Sequence, residues 1–213
     1  MRKLAFILAL FLGGYTYGQN LNVSGYITAD SISIGAINYT DTYWEDLRVP
    51  LQNSKLNPTK TEPAFEAFVN EVYAYAFDAG NDSVESLHFI AQLPHNRKAG
   101  TDLGVHIHWA PSTTHVGNVR WKMAYTLASQ DGVFPGTAFL WTTVAAGGTA
   151  NKHLLTELGT IDGSALGLSS VLVCRVTRLG DHAADTFTGI AFAFEIDLHY
   201  TIDSPGSPHE YVK

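Results

Sequence analysis

The 213-residue chain has one cysteine, two methionines and charged side chains at only 15% of its positions. Each shortage removes a class of protein. With Cys174 alone, set in the apolar run SSVLVCRV, an intrachain disulfide framework and a cysteine-rich zinc motif are both excluded, and the thiol reads as a small core residue. Basic charge is short as well. Thirteen Lys and Arg against 20 Asp and Glu leave a formal charge of −7, and the cations are scattered along the chain, so no nucleic-acid-binding footprint is expected. Catalytic signatures are missing too: no Gly-x-Ser-x-Gly elbow, no glycine-rich phosphate loop before a helix and no His-Glu-x-x-His pair. Internal repeats and low-complexity tracts are absent.

What the chain does have is 46% hydrophobic residues, 12% aromatics and 19 glycines. That composition and length suit one domain of many short strands joined by tight turns. Ahead of it, MRKLAFILALFLGGYTYGQN has a basic start, an apolar stretch and small residues before Gln19, which is the layout of a secretory signal peptide over residues 1–18. A retained hydrophobic anchor is the alternative. Residues 19–42 follow as a thin apolar-polar ribbon in which Val23, Ile27, Ile32, Ile34 and Ile37 are spaced by Ser, Thr, Asn and Gly. Such a ribbon cannot bury its apolar face alone. It reads either as a shaft-like oligomerisation segment or as an edge strand of the main domain, which begins at residue 43.

Within that domain two segments alternate strictly. In VRWKMAYTL, Val119, Trp121, Met123, Tyr125 and Leu127 share one face. In FAFEIDLHYTI, Phe192, Phe194, Ile196, Leu198, Tyr200 and Ile202 share one face, and Glu195, Asp197 and His199 lie on the other. Period-two patterns predict strands with one buried side. Together with LHFIAQL, FLWTTV and SSVLVCRVTRL, they predict an antiparallel β-sandwich, most simply a jelly roll. The run LQNSKLNPTKTEP reads as an exposed loop, and PAFEAFVNEVYAYAF as a short helical turn entering a strand. Leu154, Leu155 and Leu158 have the spacing of a short helix.

The stretch AGTDLGVHIHWAP carries the sharpest chemical question. Val105, Ile107 and Trp109 belong to the core face of a strand, so His106 and His108 emerge together on the other face, about 7 Å apart. Two imidazoles at that spacing can clasp a metal ion. Gly100, His106 and His108 also resemble the start of the first cupin motif, a family of metal-holding jelly rolls. That family's glutamate after the second histidine is replaced by Ser112 and Thr113, and its second motif is missing. A metal site would therefore draw on His106, His108, Glu195 and His199. The competing expectation is a polar sheet face on which His106, His108, Arg120, Lys122, Glu195, Asp197 and His199 pair with one another or across a subunit interface. Trp44, in DTYWEDL, is the tryptophan free to stack on a ligand.

A wider pattern resembles a family of phage and prophage virion-associated proteins. It comprises WEDLRVPL, LPHNRKAGTDLGVHIHWAPSTTHVGNVRWKMAY, GVFPG, TANKHLLTELGTIDG and the closing LSSVLVCRVTRLGDHAADTFTGIAFAFEIDLHY, from about Tyr43 to Ile202. The resemblance implies a non-enzymatic fibre, spike or decoration subunit, a homotrimer at a virion or extracellular surface, in contact with other virion or cell-surface proteins. It implies no cofactor and no catalytic residues. The alternatives are a metal-dependent cupin-like enzyme and a secreted glycan-binding adhesin module.

Overall fold

A computed structural model describes residues 43–56, 62–80, 84–207 and 209–210. The proposed leader, and the segment carrying Val23, Ile27, Ile32, Ile34 and Ile37, lie outside the described residues.

Among the described residues eleven strands, with one 3-10 turn at Leu51–Asn53, form two antiparallel sheets. Sheet I contains β1 (Tyr43–Pro50), β3 (Ala64–Val69), β4 (Val72–Phe77), β6 (Leu103–Pro111), β9 (Leu154–Ile161) and β11 (Ala191–Ile202). Its order is β3-β4-β11-β6-β9, with β1 also paired to β11. Sheet II runs β2 (Lys55–Leu56), β5 (Val84–Gln92), β10 (Val171–Leu179), β7 (Asn118–Ala128) and β8 (Ala138–Ala145). The eight strands left when β2, β3 and β4 are set aside pair as nested hairpins, β1 with β11, β5 with β10, β6 with β9 and β7 with β8. That nesting is the jelly-roll arrangement the alternation led one to expect.

The core between the sheets takes one residue in two from each central strand. Val105, Ile107 and Trp109 on β6 meet Val119, Trp121 and Met123 on β7, all fully buried. The Trp109 and Trp121 rings sit edge to face at 5.9 Å, and Phe77 adds a second such contact to Trp121 at 5.3 Å. The Trp109 indole N–H donates to Thr156 Oγ1 at 2.9 Å. Cys174 is in this core, where burial pushes its thiol up to about 12.

Three local expectations fail, each for an identifiable reason. The segment holding Leu154, Leu155 and Leu158 is strand β9, not a helix. Leu154, Thr156 and Leu158 point inward on a regular two-residue period, and the helical spacing arises because the outward Leu155, 56% exposed, is also a leucine. PAFEAFVNEVYAYAF forms the β3–β4 hairpin, turning at Asn70 with φ 53°. In β11 the register shifts between Ala193 and Glu195, which inverts the faces before the shift. Ala191 and Ala193 therefore enter the core, while Phe192 joins Phe68, Ala74, Ala76 and Phe194 in a separate small cluster. The predicted loop after Leu51 is also more structured than its composition suggests, since Leu51 and Pro63 are buried and Lys55–Leu56 pair with β5.

Candidate functional site

Strand order decides which predicted polar residues meet. β6 is flanked by β11 and β9, so the outer face of sheet I has Asp197 opposite His106, Glu195 opposite His108 and Glu157 opposite His106 from the other side. β1 brings Asp46 opposite His199 and Arg48 opposite Asp197. Strand β7 belongs to sheet II. Arg120 and Lys122 are consequently on the opposite surface of the sandwich, and the seven-residue polar face expected from alternation loses both of its cations.

The five residues that do meet form a set of pairs. Asp197, with its side chain 5% exposed, lies between His106 Nδ1 at 3.3 Å and His108 Nε2 at 3.4 Å. These separations exceed those of a charge-assisted hydrogen bond, and His106 Nδ1, His108 Nε2 and Asp197 Oδ1 have no hydrogen-bond partner among the described residues. His199 Nε2 contacts Asp46 Oδ1 at 2.6 Å, and the Arg48 guanidinium donates to both Glu195 oxygens at 2.8 Å. His108 Nδ1 shares a hydrogen bond of 2.8 Å with His153 Nε2, and the two rings stack. Trp44 is exposed on strand β1 beside His199, with ring centroids 5.7 Å apart.

This arrangement does not gather the proposed metal set. Glu195 is engaged by Arg48 and His199 by Asp46, although the His199 ring keeps an edge-to-face contact with His106 at 5.0 Å. Among the described residues no group of three or more His, Cys, Asp or Glu side chains is placed to hold a metal ion. Around the His106–Asp197–His108 centre, Arg48 pairs with Glu195, Asp46 with His199 and His153 with His108. Asp46, Arg48 and His153 complete the face, and the signal for the first two was present in the alternation of WEDLRVP, which places Trp44, Asp46 and Arg48 on one side.

The outer face of sheet II is different in kind. Its outward positions on successive strands include Lys55, His88, Arg175, Lys122 and Arg120, together with Phe139 and Trp141 on β8. The two aromatics are 46% and 57% exposed. One cross-strand row reads His88, Arg175, Ala124, Phe139, and the next reads Ser86, Thr177, Lys122, Trp141. A groove of about 340 Å³ follows the first row, floored by Ala124 and Thr126 and walled by His88, Arg175 and Phe139. Lys122 Nζ lies 4.2 Å from the centroid of the Phe139 ring. Arg120 donates to Thr143 Oγ1 at 2.8 Å.

Polar atoms on this face are left without partners. His88 Nε2, Arg175 Nε, Arg120 Nε, Ser86 Oγ and Thr177 Oγ1 are buried atoms with no hydrogen-bond partner among the described residues. Native proteins satisfy nearly all such groups, and sheet I has a comparable set of exceptions in His106 Nδ1, His108 Nε2 and Asp197 Oδ1. Burial, and then the neighbouring Arg175, lower the His88 pKa below the usual imidazole value, so this ring is neutral at neutral pH.

No protein-family model and no curated protein matches the sequence. Three solved structures similar to it are distant. One is an isomalto-dextranase from Arthrobacter globiformis T6, solved with panose, at 16% identity and a TM-score of 0.41 over 72% of this chain and 23% of that one. A second is the carbohydrate-binding module CBM36 in complex with calcium and xylotriose, at 13% identity and a TM-score of 0.39 over 71% of this chain and 98% of that one. A third is infectious bursal disease virus, Gx strain, at 14% identity and a TM-score of 0.39 over 85% of this chain and 38% of that one. The chain thus spans about a quarter of the length of the isomalto-dextranase it resembles. Among the described residues no helix is long and apolar enough to cross a membrane.

Proposed function

We propose that the protein is a non-enzymatic, extracellular glycan-binding module whose ligand lies across the outer face of sheet II. The observation that carries this reading is the pair Phe139 and Trp141, exposed at successive outward positions of β8 beside the groove floored by Ala124. Rings at such positions are about 7 Å apart. Their flat apolar surfaces suit the C–H faces of neighbouring sugar units, while the small floor residues leave room for the ring edges. Binding sites of this kind combine apolar lining with a few placed polar groups, here His88 and Arg175. Among the described residues the sheet I face presents Trp44 beside His199 but no second exposed ring at a successive outward position of the same strand and no groove floored by small residues.

A glycan array probed with the full chain tests the reading. Trp141→Ala should weaken binding about 30-fold, as expected for an exposed aromatic anchor contributing about 2 kcal/mol. An array that stays blank with the unaltered protein would refute the proposal.

The β3–β4 hairpin supports a second, compatible reading, that of a subunit in a virion or cell-surface assembly. Phe65, Val72 and Tyr73 are all more than half exposed there, and β3 has an unpaired outer edge among the described residues. Unpaired apolar edges are sites of chain-to-chain pairing. Measurement of the solution mass should give a trimer, and a monomer at micromolar concentration would refute this second reading.

A further inference from the structure

We infer that the ligand of the sheet II face is a polyanionic glycan, a sugar chain bearing repeated carboxylate or sulfate groups. This inference rests on the glycan-binding reading and specifies its chemistry.

Charge on this molecule is divided by sheet. The strands of sheet I carry Glu45, Asp46, Glu66, Glu157, Glu195 and Asp197 against the single cation Arg48. The strands of sheet II carry Lys55, Arg120, Lys122, Arg175 and Arg178 against the single carboxylate Glu85. Glu85 and Arg178 face inward, and Arg178 is paired with Asp185. Lys55, Arg120, Lys122 and Arg175 therefore share an outward face with no Asp or Glu at any outward strand position. None of the four makes a salt bridge among the described residues.

The net charge of −7 does not cancel this face. The acidic and basic outer surfaces stand on opposite sides of a sandwich whose sheets are about 10 Å apart, and the salt around each surface screens its exposed charges over about 8 Å. The cations are also spread out. From β2 to β7 is three strand spacings, about 15 Å, which is too wide for one phosphate and suits an anion repeated along a chain. Lys122 over the Phe139 ring sets a positive charge beside the stacking platform, so one sugar unit could place its ring on Phe139 and its anionic group on Lys122 or Arg175. Arg175 and His88 both line the same groove.

The test is affinity electrophoresis and titration calorimetry of the full chain with polygalacturonate, dextran sulfate, neutral xylan, neutral dextran and single-stranded DNA. Binding to polygalacturonate, to dextran sulfate or to both supports the inference, and the pattern tells carboxylate from sulfate. That binding should weaken about tenfold or more between 50 and 500 mM NaCl, as screening of exposed charges requires. Lys122→Gln and Arg175→Gln should each weaken it about fivefold or more, with Arg48→Gln on the opposite face leaving it unchanged. Two variants are used so that a folding defect in one does not decide the result. Equal, salt-insensitive binding to the neutral glycans would overturn the polyanion inference and leave the glycan reading standing. Failure of all four glycans would overturn both. DNA binding as tight as the best glycan would overturn the inference by showing a face that takes any polyanion.

Discussion

The buried Arg178–Asp185 pair permits the most quantitative prediction. Arg178 is fully buried on β10 and all five of its N–H groups have acceptors. Nε and one Nη2 proton go to the Asp185 carboxylate at 3.0 and 2.8 Å, Nη1 donates to the carbonyls of Phe77 and Gly189 at 2.8 and 2.7 Å, and Nη2 also donates to the Phe187 carbonyl. Asp185 accepts in addition the backbone N–H of Arg120 at 3.0 Å. One guanidinium thus ties sheet II to the end of β4 in sheet I and to the segment entering β11. Asp185→Asn keeps the shape but leaves a cation in the interior without its anion, a change that costs about 3–5 kcal/mol. For a domain of this size each kcal/mol moves the melting midpoint by roughly 2–4 °C, so the drop should be about 6–20 °C in a circular-dichroism melt at pH 7. The double substitution Arg178→Met with Asp185→Leu should recover only part of the loss, because three carbonyls lose their donor. As a control, Arg48→Gln breaks a pair whose arginine side chain is 70% exposed, and its midpoint should stay with the unaltered protein. An Asp185→Asn midpoint within about 2 °C of the unaltered protein would refute the reasoning, since the interior would then tolerate the unpaired cation.

Other outcomes follow from the same geometry. Burial, opposed by the Asp78 N–H it accepts, raises the Glu85 pKa from 4.5 to about 7. The folded state therefore holds this proton more tightly than the unfolded chain. Stability linked to it is full below about pH 4.5 and is lost as pH rises to about 7; urea melts of Glu85→Gln across that range should show a flatter profile. Gly163→Ala should destabilise by about 2–3 kcal/mol, because an added Cβ would stand 1.8 Å from the Thr101 carbonyl oxygen and 2.7 Å from its carbon. Trp121→Ala should cost about 3–5 kcal/mol in the same urea assay, its ring being fully buried between Phe77 and Trp109. Addition of zinc or of EDTA should move the melting midpoint by less than about 2 °C, given the divided donor set around His106 and His108.

Side-chain alternation carried the fold a long way. VRWKMAYTL and VHIHW read as strands because every second residue is large and apolar, and the same residues build the core. Alternation assigns faces but not neighbours. The placement of Arg120 and Lys122 beside His106 and His108 failed on that point, since β7 sits in the other sheet. A bulge near Phe194 moved Phe192 out of the main core, and an exposed leucine, Leu155, between the inward Leu154 and Leu158 mimicked a helix. Within the sheet I cluster, the meeting of Asp197 with both histidines needed only the pairing of β6 with β11. The sheet II face was hardest to foresee. Lys55, Arg120, Lys122 and Arg175 look scattered along the chain, and only the order β2-β5-β10-β7 collects them on one surface.

The most direct measurement of the central claim is an NMR titration of the isotope-labelled chain with the glycan that binds best. Shifts confined to His88, Lys122, Phe139, Trp141 and Arg175, with the His106, His108 and Asp197 signals unmoved, are the predicted result. Shifts centred on His106, His108 and Asp197 with sheet II silent would place the ligand on the histidine face and contradict the account.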